Sequence, residues 1–319
     1  MLYKLITIIF LSITSLCAQE SLKIGVLAFG TVNWELNVIK SHKLDEKYGF
    51  NLEIVNLASK NAQLVALQAK SVDIIVNDWV WVNTQKANGK DFNFYPYSKA
   101  TGTLVVNEAN NIKTLLDLKG KELGIAGGAY DKTWLLFRAY SKNKYDIDLK
   151  DIVTPVYASA PILYKKMQDK SLEASINFWQ FNSKLENENI KHLVEIEEVY
   201  KDLGLKEDVS FVGWVFNKDF GLTNKDLINS FLKASIESKN ILKTNDKEWD
   251  RIKPIMEVKS NGEFQALKDG YKKGIIENFD ESNISDLQKV YKILSQDSSE
   301  DLGKSTSLNN DIFWKFDSK

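Results

Sequence analysis

Short apolar runs alternate with amphipathic stretches along most of the chain. Residues 22–27, 51–55 and 73–76 have the apolar runs or the alternation typical of strands, and stretches with apolar positions at helical spacing follow them. Strands that alternate with helices of about ten to fifteen residues favour βαβ units on a largely parallel sheet. The first part of the chain therefore predicts one sheet flanked by helices.

The same alternation starts again after residue 102. Predicted strands and helices follow one another at residues 103–106, 121–126, 131–141, 152–156, 159–168, 174–176 and 178–188. Residues 210–216 then have the composition of a returning strand, and residues 224–298 are almost wholly helical in pattern. We therefore predict an α/β fold of two lobes, each a mostly parallel sheet flanked by helices, with a helical C-terminal region.

The returning strand predicts that the second lobe is inserted into the first. We assign residues 19–102 and 214–319 to lobe 1 and residues 103–213 to lobe 2. Two crossings of the chain, near Gly102 and near Gly213, are then expected to form a hinge. The chain has only 4 prolines and no Gly/Ser run, which argues against a loose linker between independent domains.

The first eighteen residues have the features of a signal peptide. Lys4 supplies a positive charge, and residues 5–16 form an apolar stretch of about twelve residues, whereas a membrane-spanning helix needs roughly twenty. Cleavage after Ala18 is one expectation, and lipid attachment at Cys17 is the alternative. Both predict a periplasmic protein, with contact to the membrane only through a partner or through that anchor.

Composition excludes several kinds of chemistry. Lys and Arg number 42 against 43 Asp and Glu, so nucleic-acid binding has no electrostatic support. Cys17 is the single cysteine, which excludes a disulfide or a cysteine-based metal site, and neither His42 nor His192 has a partner at metal-ligand spacing. The sequence contains no GxSxG, P-loop, HExxH, CxxC or dinucleotide motif. We expect no catalytic residue, no metal and no cofactor.

The loops that follow the predicted strands share small residues, amides and large aromatics. In open α/β sheets, ligands bind beyond the carboxyl ends of the strands. Glycine lets a ligand approach the backbone, aromatics supply contact area, and a few polar groups fix orientation. The expected ligand-binding residues are Phe29, Thr31, Asn33, Trp34, Ser59, Asn77, Asp78, Trp79, Gly128, Tyr130, Asp131, Tyr157, Ser159, Asn177, Trp179 and Trp214.

Three stretches of the chain resemble a known family. Residues 22–35, 63–79 and 115–124 are similar to segments of the nitrate/sulfonate/taurine-type ABC solute-binding proteins, a group that includes binders of thiamine pyrimidine precursors. The resemblance covers nearly the whole chain after residue 18 and is strongest before about residue 220. It implies a type II periplasmic-binding fold, a monomer that closes over a small molecule by hinge motion and delivers it to an ABC permease and its ATPase.

The predicted loops carry conflicting signals about the charge of the ligand. Helix N-termini favour anions, but Asp78 and Asp131 are expected to cap two of these helices and to bring negative charge instead. Arg138 and Arg251 are the only arginines. The guanidinium group, whose two parallel N–H donors suit oxyanions, is therefore scarce in this chain. The pattern favours a neutral or nitrogen-containing organic ligand over nitrate or a simple sulfonate.

Several alternatives stay open at this point. Arg138 either contacts the ligand or forms an ion pair, and Lys60 and Lys132 each either supply a cation to the cleft or are solvated. A pyrimidine-synthase-like enzyme on the same fold is one rival function, although that family carries a histidine- and cysteine-rich iron motif that this chain lacks. A periplasmic sensor or accessory ligand carrier is the other.

Overall fold

The computed structural model describes residues 19–129, 131–185, 189–206, 209–297, 305 and 307–317. Its strands are β1 (Glu20–Leu27), β2 (Phe50–Leu57), β3 (Ile74–Asp78), β4 (Phe92–Ser98), β5 (Thr103–Asn107), β6 (Glu122–Ala126), β7 (Thr154–Ala158), β8 (Ala174–Asn177), β9 (Ile190–Val194) and β10 (Val212–Asn217). Its helices are α1 (Val32–Ser41), α2 (Leu44–Lys47), α3 (Lys60–Gln68), α4 (Trp79–Ala87), α5 (Lys132–Tyr145), α6 (Leu149–Ile152), α7 (Ala160–Gln168), α8 (Trp179–Leu185), α9 (Ile196–Asp202), α10 (Lys218–Thr223), α11 (Lys225–Thr244), α12 (Asp246–Ile252), α13 (Asn261–Lys273) and α14 (Glu281–Asp297).

The strands form two sheets with the same plan. The first has the order β2-β1-β3-β10-β4 and the second β7-β6-β8-β5-β9. In each sheet the fourth strand is antiparallel to both of its neighbours, and the other four strands run in one direction. We call the first sheet with its helices lobe 1 and the second lobe 2. The predicted two-lobe α/β fold, with mostly parallel sheets and a helical C-terminal region, is confirmed.

Strand β4 was absent from the sequence-based prediction. It contains Pro96, which cannot donate to a ladder and is therefore confined to edge strands, and β4 is the edge of the first sheet. Its aromatic residues are nevertheless typical of a strand. This strand matters for the site, because its last residue, Ser98, pairs with Val212 at the beginning of β10.

The chain crosses between the sheets twice. The first crossing lies between Ser98 and Thr103, and a Cβ on Gly102 would be 1.9 Å from the carbonyl oxygen of Asn177, so only glycine permits this close backbone approach. The second lies between Val194 and Val212. The end of this crossing is next to Gly213, which lies inside β10 and pairs with Asn77 and Pro96 on its two sides.

The C-terminal region contacts both lobes. Helix α14 packs against α5 of lobe 2, and Lys206 forms an ion pair with Asp286 at 2.8 Å. On the lobe 1 side, the ring of Tyr291 lies 6.2 Å from that of Trp79, and Phe313 forms a bridge with Phe94 of β4. The helix thus covers the end of β3 as well as lobe 2.

No helix in the described ranges is both long enough and apolar enough to cross a bilayer.

Candidate functional site

A cavity of about 160 Å³ lies between the lobes, at the carboxyl ends of strands from both sheets. For comparison, an engineered protein cavity of about 150 Å³ binds benzene. The space therefore suits a ligand of about one ring with short substituents. Of the residues expected from the sequence, the ones that line it are Thr31, Asn77, Asp78, Asp131 and Trp179.

Each of these residues sits at a junction between a strand and a helix. Asp78 ends β3 and caps α4, and its Oδ1 accepts a hydrogen bond from the Trp81 backbone N–H at 2.7 Å. Asp131 caps α5, and its Oδ1 accepts from the N–H groups of Thr133 and Trp134 at 3.0 and 3.3 Å. The predicted capping roles of both aspartates are confirmed. The fold thus brings two helix N-termini and two carboxylates to one cavity.

Two lysines balance the charge of these carboxylates. Lys60 and Lys132 both line the cavity, and the Nζ of Lys132 in lobe 2 is 3.4 Å from the Oδ1 of Asp78 in lobe 1. These two side chains are 12% and 9% exposed, so water screens the contact weakly. Burial raises the pKa of the Asp131 carboxyl, and the nearby Asp78 acts in the same direction, although Lys60 and Lys132 oppose them.

Aromatic rings form the apolar walls. Phe211, Tyr97, Phe178 and Trp179 line the cavity from the two lobes. Trp179 meets Trp34 of lobe 1 edge-on at 6.4 Å, and the Lys60 ammonium lies 5.7 Å from the ring centre of Phe178. Both contacts join lobe 1 to lobe 2. Because these rings, with aliphatic side chains such as Val26 and Val76, make most of the cavity surface apolar, the cavity is suited to an organic molecule.

Two tryptophans expected at the cleft lie in the protein core instead. Trp79 has no exposed surface: its Nε1 donates to the carbonyl oxygen of Ser210 at 2.9 Å, and its ring stacks on Phe211 at 5.9 Å. Trp214 is also fully buried and packs edge-on against Tyr97 and Phe231. This corrects the expectation that these rings face the cleft. Tyr291 of α14 covers the ring of Trp79. The ring of Trp214, on β10, packs against Phe231 of α11.

Two asparagines hold loops in shape rather than facing the cavity with their amides. Asn33 Nδ2 donates to the carbonyl oxygens of Leu27 and Gly30 at 2.8 and 3.0 Å. Asn177 Nδ2 donates to the Ala160 carbonyl oxygen at 3.0 Å, and its Oδ1 accepts from the Phe178 N–H at 2.8 Å. Asn33 and Asn177 therefore belong to the frame of the site and do not line the cavity.

Other expected residues also lie outside the lining. Phe29 packs against Phe181 across the lobes, with ring centres 6.2 Å apart, and Trp34 is buried in a cluster of its own lobe. Ser59 Oγ accepts from the Ala62 N–H at 3.1 Å and so caps α3. These placements correct the expectation of direct exposure to the cavity, because packing and capping satisfy the side chains first.

The remaining expected residues lie in loops of lobe 2. Gly128 has a φ of +91° in the loop before Asp131 and does not line the cavity. Tyr157 is 46% exposed, and Ser159 occupies the N-cap position of α7 without a side-chain capping bond. Tyr130 lies outside the described residues, as do residues 1–18 with Cys17. Among the described residues of this group, none contributes to the cavity wall.

Arg138 forms an ion pair. Its Nη2 donates to Asp148 Oδ2 at 2.7 Å, away from the cavity. Each histidine also lies beside a carboxylate: His42 is 3.1 Å from Glu248 and His192 is 2.8 Å from Glu195. In the described part of the chain, no group of three or more His, Cys, Asp or Glu residues is placed to hold a metal ion.

Sequence reasoning missed Gln63 and Tyr97 as parts of the site. Gln63 is buried and its Nε2 donates to the Gly25 carbonyl oxygen at 3.0 Å, which ties α3 to β1 at the cavity floor. Tyr97 lies on β4, the strand that the sequence-based prediction omitted. The alternation of aromatic residues in 92–97 is the signal that would have identified it.

Comparison with known proteins agrees with this architecture. A family model described as NMT1/THI5 like matches residues 46–248. The alkanesulfonate-binding protein SsuA from Xanthomonas axonopodis pv. citri, solved bound to MOPS, is 17% identical, with a TM-score of 0.71, and the match covers 92% of this chain and 98% of that one. The periplasmic aliphatic sulphonate binding protein SsuA from Escherichia coli is 18% identical, with a TM-score of 0.70 and coverages of 92% and 96%.

An enzyme shares the same fold. The desulfurization enzyme DSZB is 11% identical, with a TM-score of 0.60, and the match covers 91% of this chain and 98% of that one. At such identities these likenesses show the fold alone. No curated protein matches the sequence.

Proposed function

Since the chain belongs to the NMT1/THI5-like family, we propose that it is the extracytoplasmic solute-binding component of an ABC importer. In this proposal it captures a small organic molecule between its lobes and delivers it to a membrane permease that works with an ATPase. The apolar stretch at residues 5–16 supports secretion to the periplasm, with lipid attachment at Cys17 as the alternative to a free protein. We propose that the protein acts there as a monomer.

The observation that carries the proposal is the cavity to which both lobes contribute walls and charges. Lobe 1 provides Asp78 and Lys60, and lobe 2 provides Asp131 and Lys132. A ligand placed there would contact both lobes at once, so binding would favour the closed arrangement over an open one. The solved SsuA proteins, which bind sulfonates, support the solute-binding role by analogy of fold.

An enzyme on this fold is the alternative, as DSZB illustrates. The two cavity carboxylates are the natural acid and base candidates in the described part of the chain. Both already accept hydrogen bonds from helix N-termini, and Asp78 also contacts Lys132, which fixes them as caps and counter-ions. This arrangement favours binding over proton transfer.

A thermal-shift screen of small organic molecules tests the proposal. A molecule that binds only the folded protein raises the unfolding temperature, and about a hundredfold excess over Kd stabilises the fold by about 2.7 kcal/mol. We expect at least one compound to do so and to be recovered unchanged after incubation. Chemical conversion of the best stabiliser would establish an enzyme instead, and identical scattering curves with and without it would contradict hinge closure.

A further inference from the structure

The charged residues of the cavity are crossed between the lobes. Lobe 1 provides Lys60 and Asp78, and lobe 2 provides Asp131 and Lys132. The Nζ of Lys132 lies 3.4 Å from the Oδ1 of Asp78. In the other direction, burial raises the pKa of Asp131, and the charge of Lys60 is the strongest influence that opposes it. Each lysine thus acts on the carboxylate of the opposite lobe, so both interactions depend on the lobes being together.

The two lysines also occupy matching positions in their lobes. Lys60 is the first residue of α3, after the cap Ser59, and Lys132 is the first residue of α5, after the cap Asp131. A cation in the first turn faces the positive end of the helix dipole, so neither lysine helps to stabilise its own helix. The interaction across the cavity supplies a reason for both positions that the local structure does not.

The Asp78 carboxylate has little capacity left for a cation of the ligand. Its Oδ1 accepts a hydrogen bond from the Trp81 N–H at 2.7 Å and also lies beside the Lys132 ammonium. Because the Asp78 and Lys132 side chains are largely buried, water and salt screen the charges there weakly. A ligand ammonium that approaches Asp78 must therefore displace Lys132 or lie beside a like charge. An uncharged polar group can enter while the pair stays intact.

We propose that Lys132 is a specificity-determining residue of the cavity. Its ammonium bridges the lobes to Asp78, and by occupying this carboxylate it makes the closed cavity select an uncharged one-ring molecule against a cation of the same shape. Lys132 is thus a tethered cation that a ligand ammonium would have to replace. This inference rests on the proposed solute-binding function and names the class of molecule that the cavity takes.

Two probes of matched shape test this selectivity by isothermal titration. 4-(Hydroxymethyl)benzamide is uncharged, whereas 4-(aminomethyl)benzamide carries an ammonium at the same place at pH 7. We expect the wild-type protein to bind the alcohol at least about tenfold more tightly than the amine, which is equivalent to about 1.4 kcal/mol. In Lys132→Met the ligand ammonium can take the place beside Asp78. The ratio of the two affinities should therefore fall at least about tenfold.

Three further variants separate this contact from the general charge of the cavity. Lys60→Met removes an equal charge but leaves the Lys132–Asp78 contact in place, so it should change the ratio less than Lys132→Met does. Lys132→Arg keeps the cation and should keep the wild-type preference. In an Asp78→Asn background, Lys132→Met should change the ratio little, because the partner of the lysine is already gone.

X-ray scattering of the protein alone tests the contact without any ligand. Because Lys132 joins lobe 2 to lobe 1, Lys132→Met should shift the protein towards the open arrangement and raise its radius of gyration. Lys132→Arg should give the curve of the wild type. Identical curves for the wild type and Lys132→Met would mean that the contact does not hold the lobes together, and would overturn the inference.

The binding data separate failure of this inference from failure of the proposed function. Equal binding of the two probes to the wild type, or equal effects of Lys60→Met and Lys132→Met on the ratio, would overturn the inference while the solute-binding function stood. If another compound stabilises the wild type but neither probe binds, the proposed class of ligand is wrong. If no compound at all stabilises it, the proposed function fails, and the scattering comparison still decides whether Lys132 bridges the lobes.

Discussion

Trp79 and Trp179 occupy matching places in the two lobes and have different surroundings. Each is the first residue of the helix that follows the strand in third place across its sheet: α4 follows β3 in lobe 1, and α8 follows β8 in lobe 2. Trp79 is fully buried beneath Tyr291 of α14, whereas Trp179 lines the cavity and lies against Gly270 of α13. The covering element, and not the position in the sheet, decides which ring is available to a ligand.

The same comparison explains why α13 can approach so closely. A Cβ on Gly270 would be 2.6 Å from the Trp179 ring, so the absence of a side chain there lets the ring lie across the helix. Helix α14 presents Tyr291 at the corresponding contact and closes the space over Trp79 completely. We therefore expect substitution of Trp79 to lower the stability of the fold and substitution of Trp179 to lower the affinity for a ligand.

The largest effect is expected from Trp79→Ala. The substitution removes a fully buried ring and its bond to Ser210, so the free energy of unfolding should fall by about 3–5 kcal/mol. Urea denaturation followed by circular dichroism measures this loss. Protein that remains folded should bind its best stabiliser with little change, and a selective loss of affinity would place Trp79 in the site after all.

A smaller effect, on ligand affinity instead of on stability, is expected from Trp179→Ala. Here the ring contributes contact area to the cavity, so affinity should fall by at least about 1 kcal/mol, in the range of lost aromatic anchors. Isothermal titration with the best compound of the screen gives the value. Trp34→Phe serves as the control, because Trp34 touches Trp179 without lining the cavity. Unchanged affinity in Trp179→Ala would reduce this ring to a packing contact between the lobes.

The smallest effect concerns Asp131 and its dependence on pH. The folded-state pKa of Asp131 is raised above 3.8, chiefly by burial, so the ionised carboxylate opposes folding above the folded-state pKa. Asp131→Asn keeps a capping group and removes that cost, and should raise the unfolding temperature by a few degrees at pH 7. The gain should shrink as pH falls through the folded-state pKa and vanish below 3.8.

Asp148→Asn is the matched control with the opposite sign. Burial is the largest single influence and raises the pKa of Asp148, but the hydrogen bonds from Arg138 and from the Lys150 N–H, together with the charges of both residues, outweigh it, and the net pKa is lowered. The ionised form therefore adds stability above pH 3.8, which is lost as pH falls through the lower folded-state value. This variant should melt below the wild type at pH 7. If the unfolding temperatures of the two variants changed by the same amount in the same direction at pH 7, the raised pKa assigned to Asp131 would be contradicted.

Much of the fold and part of the site follow from local patterns in the sequence. Alternating strands and helices predict both sheets, and the capping roles of Asp78 and Asp131 follow from their position before helical stretches. Local patterns carry no information on which distant element covers a strand end, so Trp79 and Trp179 look equivalent in the sequence. Tyr97 was missed for a related reason, because Pro96 conceals an edge strand whose partner, β10, lies more than a hundred residues later.

A crystal structure of the protein with its best stabilising compound would test the central claim most directly. We predict that the compound lies between the lobes, with one end near Asp131 and Asp78 and its ring against Trp179. Clear density for the compound on the outer surface of either lobe, with the cavity between them unchanged, would contradict the account.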